Sequence, residues 1–135
     1  MRFVVDTNVL VSALLKPGSV PARALAALWG RATILYDARI AAEYDAVLAR
    51  PKFRGISRAD VEALLGALRA HGQDLGVVAA WAGPLGDDDD RMFIEVALAG
   101  HADAIVTGNL RDYPGDLGFE VWPPATLLAR LDGSP

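Results

Sequence analysis

An aspartate stands where the first predicted strand of this sequence ends. Phe3, Val4 and Val5 are three successive apolar residues, which is typical of a short strand buried on both faces, and Asp6 follows them directly. An acid at the carboxyl end of a buried parallel strand occupies the position where open α/β sheets bind their ligands. We therefore predict that Asp6 anchors a carboxylate cluster, that the cluster holds a divalent metal ion, and that the substrate is a phosphodiester.

Four consecutive aspartates, Asp87, Asp88, Asp89 and Asp90, open a helix predicted over residues 88–100. Acids at a helix start complement the unpaired amides and the helix dipole, but one cap and one first-turn acid would satisfy that need. Asp87 and Asp90 are three residues apart and would share a helix face. A divalent cation would remove the repulsion within the run, since Mg²⁺ prefers one or two carboxylates together with water and phosphate oxygens.

Other polar residues are predicted to join the same edge of the sheet. Asp6, Asp37 and residues 107–109 each end a predicted strand, although Asp37 is better interpreted as the cap of the following helix. Glu43 lies at the edge of the apolar face of a helix predicted over residues 39–50. It is therefore either a metal ligand or a glutamate that extends into solvent.

Length and composition limit the classes of protein. We expect 135 residues to form one domain, residues 1–131, followed by a flexible tail, residues 132–135. The chain has no cysteine, which excludes disulfides, thiolate metal sites and thiol nucleophiles. No apolar run approaches the ~18 residues of a membrane span. Because a predicted strand begins at the N-terminus, we expect no signal peptide and a cytoplasmic protein.

Charge is distributed unevenly along the chain. The net charge is −4, yet residues 16–58 contain eight basic and three acidic side chains, whereas residues 59–135 contain four and thirteen. This pattern is either ordinary solvated charge or the sign of one half that binds phosphates and another that supplies metal ligands. Four basic residues occur without an intervening acid, and we predict that some of them contact RNA phosphates: Arg50, Lys52, Arg54 and Arg58.

Strands and helices alternate along the sequence. Strands are predicted at residues 3–5, 32–36, 75–80, 104–107 and 119–121. This alternation favours a single α/β domain with a central parallel sheet of four to five strands and helices on both faces. The helix over residues 92–99 is apolar almost all round, so it is either internal or part of a subunit interface, and we predict a symmetric homodimer.

Several motifs occur in a set order. They are Val4-Val5-Asp6-Thr7-Asn8-Val9-Leu10-Val11-Ser12-Ala13-Leu14-Leu15, then Glu43 before Val47-Leu48-Ala49-Arg50-Pro51-Lys52-Phe53, then the acidic run before Phe93, then Ala104-Ile105-Val106-Thr107-Gly108-Asn109. In these motifs the chain resembles PIN domains (PilT N-terminus) over nearly its whole length. The group it resembles comprises VapC-like toxin components of prokaryotic toxin–antitoxin systems.

The resemblance implies a Rossmann-like sheet, an Mg²⁺- or Mn²⁺-dependent ribonuclease site built from acids, and a possible partner in a cognate antitoxin protein. Asp6, Glu43 and Asp90 match the family's first three acids, and Asp87 is a further acid of the subgroup. Asn109 stands where many PIN domains have another Asp, so the site has less charge for a second metal ion. Asp112 matches an acidic position nearby that compensates in part.

The predicted function is therefore metal-dependent endoribonuclease, with metal ligands or catalytic acids at Asp6, Glu43, Asp87 and Asp90 and assistance from Asn109. Further candidates for hydrogen bonds to phosphate or to the metal ligands are Thr7, Asn8, Ser12 and Thr107.

Two alternatives remain at this point. The first is a PIN-fold module that binds RNA or protein through a weakened or inactive metal site, which Asn109 favours. The second is an aspartyl-phosphate phosphatase, which usually has Asp and Thr where this chain has Asn8 and Leu10. A dinucleotide-binding domain is disfavoured because no glycine-rich turn follows the first strand.

Overall fold

The structure is a computed structural model that describes residues 1–132, and in this part of the chain five strands form one parallel sheet flanked by six helices. The strands are β1 (Arg2–Val5), β2 (Thr33–Tyr36), β3 (Gln73–Asp74), β4 (Ala104–Val106) and β5 (Glu120–Trp122). This architecture confirms the predicted α/β fold with a central parallel sheet. Of the predicted tail, residues 133–135 lie outside the described residues.

The helices are α1 (Thr7–Leu15), α2 (Val20–Leu28), α3 (Ala38–Leu48), α4 (Arg58–His71), α5 (Arg91–Ala99) and α6 (Pro124–Leu131). Three short 3₁₀ turns cover Pro51–Phe53, Asp88–Asp90 and Leu110–Asp112. Among the helices of residues 1–132, none has the length and apolar character needed to cross a membrane.

The order of the strands places the ends of β1 and β4 side by side. The sheet runs β3-β2-β1-β4-β5, so the chain winds outward from β1 in one direction and returns to its other side at β4. The Asp6 amide donates to the Val106 carbonyl at 2.8 Å, which continues the pairing one residue past β1. In open α/β sheets the crevice at such a reversal is the usual ligand site.

Helix α3 is fixed to the carboxyl end of β1. Tyr44 is fully buried and its hydroxyl donates to the Val5 carbonyl, one residue before Asp6. Asp37 caps the helix by accepting the Ile40 amide at 3.1 Å, which confirms the predicted capping role. These contacts set the position of α3 beside β1, and therefore the position of Glu43 on α3.

The third strand is shorter and earlier than predicted. Pairing with β2 ends when the Leu75 amide donates to the Tyr36 carbonyl at 2.9 Å. Asp74 then accepts the Gly76 amide at 2.9 Å, and Gly76 has φ +68°, a conformation that turns the chain away from the sheet. Val77 is fully exposed. The prediction of a strand at residues 75–80 was wrong because it took apolar character alone as the sign of pairing.

The apolar surface of α5 is buried within the chain itself. Phe93, Ile94, Val96 and Ala97 are each at most 1% exposed. The helix packs against β1, β2, β4 and α3. Burial within the chain accounts for the apolar composition of α5. The helix therefore gives no support for the predicted homodimer.

Candidate active site

Asp6 is the buried centre of a hydrogen-bond network at the end of β1. It is 5% exposed and caps α1, with Oδ1 accepting the Asn8 amide at 3.3 Å. Its other oxygen, Oδ2, accepts the Tyr113 hydroxyl at 2.7 Å and the Thr107 hydroxyl at 3.1 Å. An ionised carboxylate has about four acceptor positions, so Oδ1 keeps capacity for a further partner.

Asn8 connects α1 to the loop that follows β4. Its side-chain oxygen accepts the Gly108 amide at 3.0 Å, and its side-chain nitrogen donates to the Thr107 hydroxyl at 3.4 Å. Thr107 is completely buried. Of the two roles predicted for Thr107, this position suits a hydrogen bond to Asp6, since its hydroxyl is buried and holds that carboxylate.

The acidic run divides into structural and unpaired members. Asp87 caps the 3₁₀ turn by accepting the Asp89 amide at 2.9 Å, and Asp88 forms an ion pair with Arg91 at 2.6 Å. Within residues 1–132, the carboxylates of Asp89 and Asp90 have neither a hydrogen-bond donor nor an ion-pair partner. Capping and ion pairing thus account for only part of the run of four aspartates, as the sequence analysis predicted.

One open cleft of about 370 Å³ collects most of the predicted site residues. It lies beside the end of β1 and is formed by α1, α3, the turn after α3 and the turn before α5. Seven of the predicted residues line it: Thr7, Asn8, Ser12, Glu43, Arg50, Asp87 and Asp90. Two separate segments, α3 and the turn before α5, therefore bring acids to one place, beside polar side chains of α1.

Five of the predicted site residues do not line this cleft, among them the buried Asp6 and Thr107 described above. Lys52 and Arg54 are exposed at the 3₁₀ turn next to Arg50. Asn109 is exposed, and its side chain donates to Asp112 at 3.0 Å. Asp112 in turn contributes to the raised pKa of Asp6 and Asp90, so Asn109 lies near these acids although it does not line the cleft.

The carboxylates influence one another strongly. Burial, followed by the charges of Asp6, Asp112, Asp87 and Asp89, raises the pKa of Asp90 to about 7. Burial also raises the pKa of Asp6, against hydrogen bonds that lower it. A half-buried acid near neutrality, among several others, marks a place of concentrated negative charge.

The donors in this cleft fit a hard divalent cation. Among residues 1–132, no group of three or more acidic or histidine side chains is already arranged as a ligand set. Mg²⁺ does not need one, because it keeps several waters and binds through one or two carboxylates. The Thr7 hydroxyl is buried, borders the cleft and has no hydrogen-bond partner among the described residues. Carboxylate and hydroxyl oxygens are the ligand type that such ions, and their bound waters, accept.

An ion-pair network that sequence analysis did not predict holds the two helices of the site together. Arg39 on α3 binds Glu95 on α5 at 2.6 Å and Asp37 at 2.7 Å, while Glu95 also accepts the Trp81 amide at 2.8 Å. Burial alone would raise the pKa of Glu95, but these donors hold it below its ordinary value. Glu95 is the acidic exception in an otherwise apolar helix, and this exception could have indicated a buried ion pair.

Tyr113 was also missed by sequence analysis. It lies in the loop after β4, far in sequence from Asp6, and no periodicity or motif distinguishes it. Only the tertiary structure places its hydroxyl on the Asp6 carboxylate.

Removal of the Tyr113 hydroxyl should lower the stability of the folded protein. Tyr113→Phe deletes a hydrogen bond to a buried carboxylate, and we expect the free energy of unfolding to fall by about 1.5 to 3 kcal/mol. Tyr36→Phe is the control, because the Tyr36 hydroxyl has no hydrogen bond within residues 1–132. Urea unfolding of both variants measures the difference, and equal losses would contradict the role assigned to Tyr113.

The metal-free protein should lose stability as the pH rises to neutrality. The pKa of Asp90 is raised from 3.8 to about 7, so the folded state keeps a proton that the unfolded chain has released. The free energy of unfolding should therefore fall between pH ~4 and ~7 and remain low above that range. Melting temperatures in chelator across this range check the effect. Asp90→Asn should flatten the dependence, and a wild-type profile in that variant would contradict it.

The sequence matches the PIN domain family over residues 2–111, so the chain belongs to that family. No curated protein matches the chain. PIN domains are generally metal-dependent nucleases, which agrees with acids gathered at the reversal point of a parallel sheet and supports a nuclease-type function.

Proposed function

We propose that this protein is an Mg²⁺- or Mn²⁺-dependent endoribonuclease that hydrolyses RNA phosphodiester bonds in the cleft beside the end of β1. The observation that carries the proposal is that acids from two chain segments, Glu43 on α3 and Asp87 and Asp90 before α5, line one cleft next to Asp6 together with the cation of Arg50. Acids alone would repel a polyanion. A metal ion between the acids and RNA, with a nearby guanidinium, turns the same cleft into a phosphate site.

Each residue has a distinct part in this proposal. Asp6 and Asp90 would hold the metal, with Asp6 Oδ1 the free acceptor, because its Oδ2 already accepts two hydroxyl groups. Glu43 has no partner among the described residues and is available to hold the metal or a water. A bound metal would supply charge stabilisation at the phosphorus and a water of lowered pKa.

The remaining cleft residues orient the substrate. The Thr7 hydroxyl, which has no partner within residues 1–132, donates to a phosphate oxygen or to a metal-bound water. Ser12 is exposed on the same wall and is placed one turn further along α1. Asn8 serves mainly to fix the loop after β4, since both ends of its side chain are bonded within the chain.

We further propose that the protein is the toxin of a toxin–antitoxin pair and that its partner is a protein antitoxin. This proposal is supported by the order of the sequence motifs, which resembles that of VapC-like PIN domains. A homodimer is not part of the proposal, because the helix that suggested it is buried within the chain.

A second candidate function is binding of RNA without cleavage. It is favoured by the side chain of Asn109, which pairs with Asp112, and by the absence of a ready-made three-ligand group within residues 1–132. This candidate predicts RNA binding with no turnover at any metal concentration.

Incubation of the purified protein with labelled RNA separates these candidates. The nuclease proposal predicts cleavage in millimolar Mg²⁺ or Mn²⁺ that a chelator abolishes and added metal restores. Glu43→Gln should reduce the rate while leaving the fold intact. Cleavage that persists undiminished in chelator would contradict the metal mechanism, and binding without cleavage in either metal would favour the second candidate.

A further inference from the structure

An aromatic side chain forms part of the wall of the acidic cleft. Phe53 ends the 3₁₀ turn Pro51–Phe53 and lines the cleft together with Arg50, Glu43 and Asp90. It is only partly buried, with its base packed on the hydrophobic core. Packing in the core explains the buried part of Phe53. It does not explain why the rest of the ring is exposed beside acids and a cation.

The backbone holds this ring firmly in place. Pro51 begins the turn, the Phe53 amide donates to the Arg50 carbonyl at 2.9 Å, and the Phe53 carbonyl accepts the Ile56 amide at 2.9 Å. Ile56 is buried, so the end of the turn is anchored in the core. Proline and these two hydrogen bonds limit the motion of the segment, which favours a preformed surface over a mobile loop.

An unpaired cation lies over one face of the ring, and two more occur beside it in the sequence. The Lys52 ammonium lies 5.0 Å from the centroid of the Phe53 ring, within the range of a cation–π contact. Within residues 1–132, Arg50, Lys52 and Arg54 have no carboxylate partner, whereas Arg58 is paired with Asp45 at 3.0 Å and Glu62 at 3.4 Å. The turn therefore offers positive charge and a π-face at the mouth of the acidic cleft.

We propose that Phe53 is a base-stacking platform, on which the cleft receives a base of single-stranded RNA next to the phosphate that is cut. This inference rests on the proposed ribonuclease function and extends it to the form of the substrate. An exposed aromatic ring flanked by Arg and Lys is the usual arrangement for holding unpaired nucleotides, with the ring under the base and the cations at the phosphates. Bases inside a duplex are stacked on each other and present no free face to Phe53.

The cleft has the composition that such a ligand needs. Its aspartates lie in the turn before α5, whereas Glu43, Val47, Arg50 and Phe53 lie on α3 and the turn after it. At about 370 Å³ it falls in the range of small-ligand sites and suits one nucleotide better than a double helix. A nucleotide held on Phe53 would place its phosphate towards the acids.

The test measures binding with a cleavage-deficient protein. In an Asp6→Asn background, fluorescence anisotropy with a short single-stranded RNA should show that Phe53→Leu weakens binding on the order of tenfold. Phe53→Trp should bind at least as well as the parent, because it keeps a larger π-face. Trp29→Leu is the matched control: it removes a partly buried aromatic side chain from a different groove, formed with Leu25 and Leu64, and should leave affinity unchanged.

A second RNA separates stacking from a general loss of structure. An oligonucleotide in which every base is replaced by an abasic site retains its phosphates but has no base to stack. Phe53→Leu should bind it as the parent does, whereas loss of affinity for both RNAs to the same extent would overturn the proposal. Circular dichroism confirms that each variant is folded.

Cleavage assays in the otherwise wild-type background then distinguish the two proposals. If RNA is cut in a chelator-sensitive way but Phe53→Leu does not change the preference for single-stranded over duplex RNA, the stacking inference is wrong and the ribonuclease proposal stands. If no RNA is cut under any metal condition, the ribonuclease proposal fails and takes with it the inference that rests on it.

Discussion

Asp6→Asn is expected to reduce metal-dependent RNA cleavage by about a hundredfold or more, because it removes the central charge of the site. The same change should leave the metal-free protein at least as stable as the wild type. Burial raises the pKa of Asp6, so its charge is costly in the fold. An asparagine nitrogen can donate to the Tyr113 hydroxyl while its oxygen still accepts the Asn8 amide, so only the bond to Thr107 is lost, whose oxygen already accepts from Asn8 and Asn109.

Metal should stabilise the wild type and not the variant. An ion that binds only the folded state adds about 2.7 kcal/mol at one hundred times its Kd, which is a clear rise in melting temperature. Melting curves of both proteins, in chelator and in millimolar Mg²⁺ or Mn²⁺, measure the effect. If Asp6 is instead only a helix cap, Asp6→Asn should leave the metal response intact, because Asn caps a helix as well as Asp, and only Asp6→Ala should cost about 1 kcal/mol without metal. That result would contradict the central role given to Asp6.

Combined replacement of Arg50, Lys52 and Arg54 by glutamine should have the second large effect. Each of these side chains lacks an ion-pair partner within residues 1–132 and is free to contact a phosphate. Loss of three single-strand contacts should lower the slope of log affinity against log salt by about two. Because the contact is electrostatic, binding should weaken for every RNA sequence alike. Anisotropy titrations from low to high salt measure both quantities.

Arg58 provides the matched control for this experiment. Sequence analysis grouped it with the other three cations, but it is paired with Asp45 and Glu62, so its charge is already neutralised. Arg58→Gln should therefore leave the salt slope unchanged. If the triple variant also retains the wild-type slope, the turn after α3 is an ordinary solvated surface and not an RNA contact.

The local sequence was sufficient for the class of fold and for the PIN family. Three apolar residues before Asp6, helix caps such as Asp37, and the alternation of strands and helices are short-range signals, and they predicted the elements and their parallel arrangement. The exception, the strand at residues 75–80, shows the limit of such signals. Apolar composition indicates that a segment can be buried, but a segment becomes a strand only when its backbone pairs with a neighbouring strand.

The arrangement of the site was decided by contacts between residues distant in sequence. Tyr113 and Thr107 reach Asp6 from more than one hundred residues away, and Glu95 reaches Arg39 across 56 residues. These partners depend on the strand order, which sets β4 beside β1, and no local pattern encodes that order. Residue types and spacing thus determined that acids and a parallel sheet occur together, the combination from which metal and phosphodiester chemistry was predicted. Tertiary packing decided which acids share a cleft, which cations stay unpaired, and that the side chain of Asn109 pairs with Asp112, because those outcomes depend on how separate segments meet.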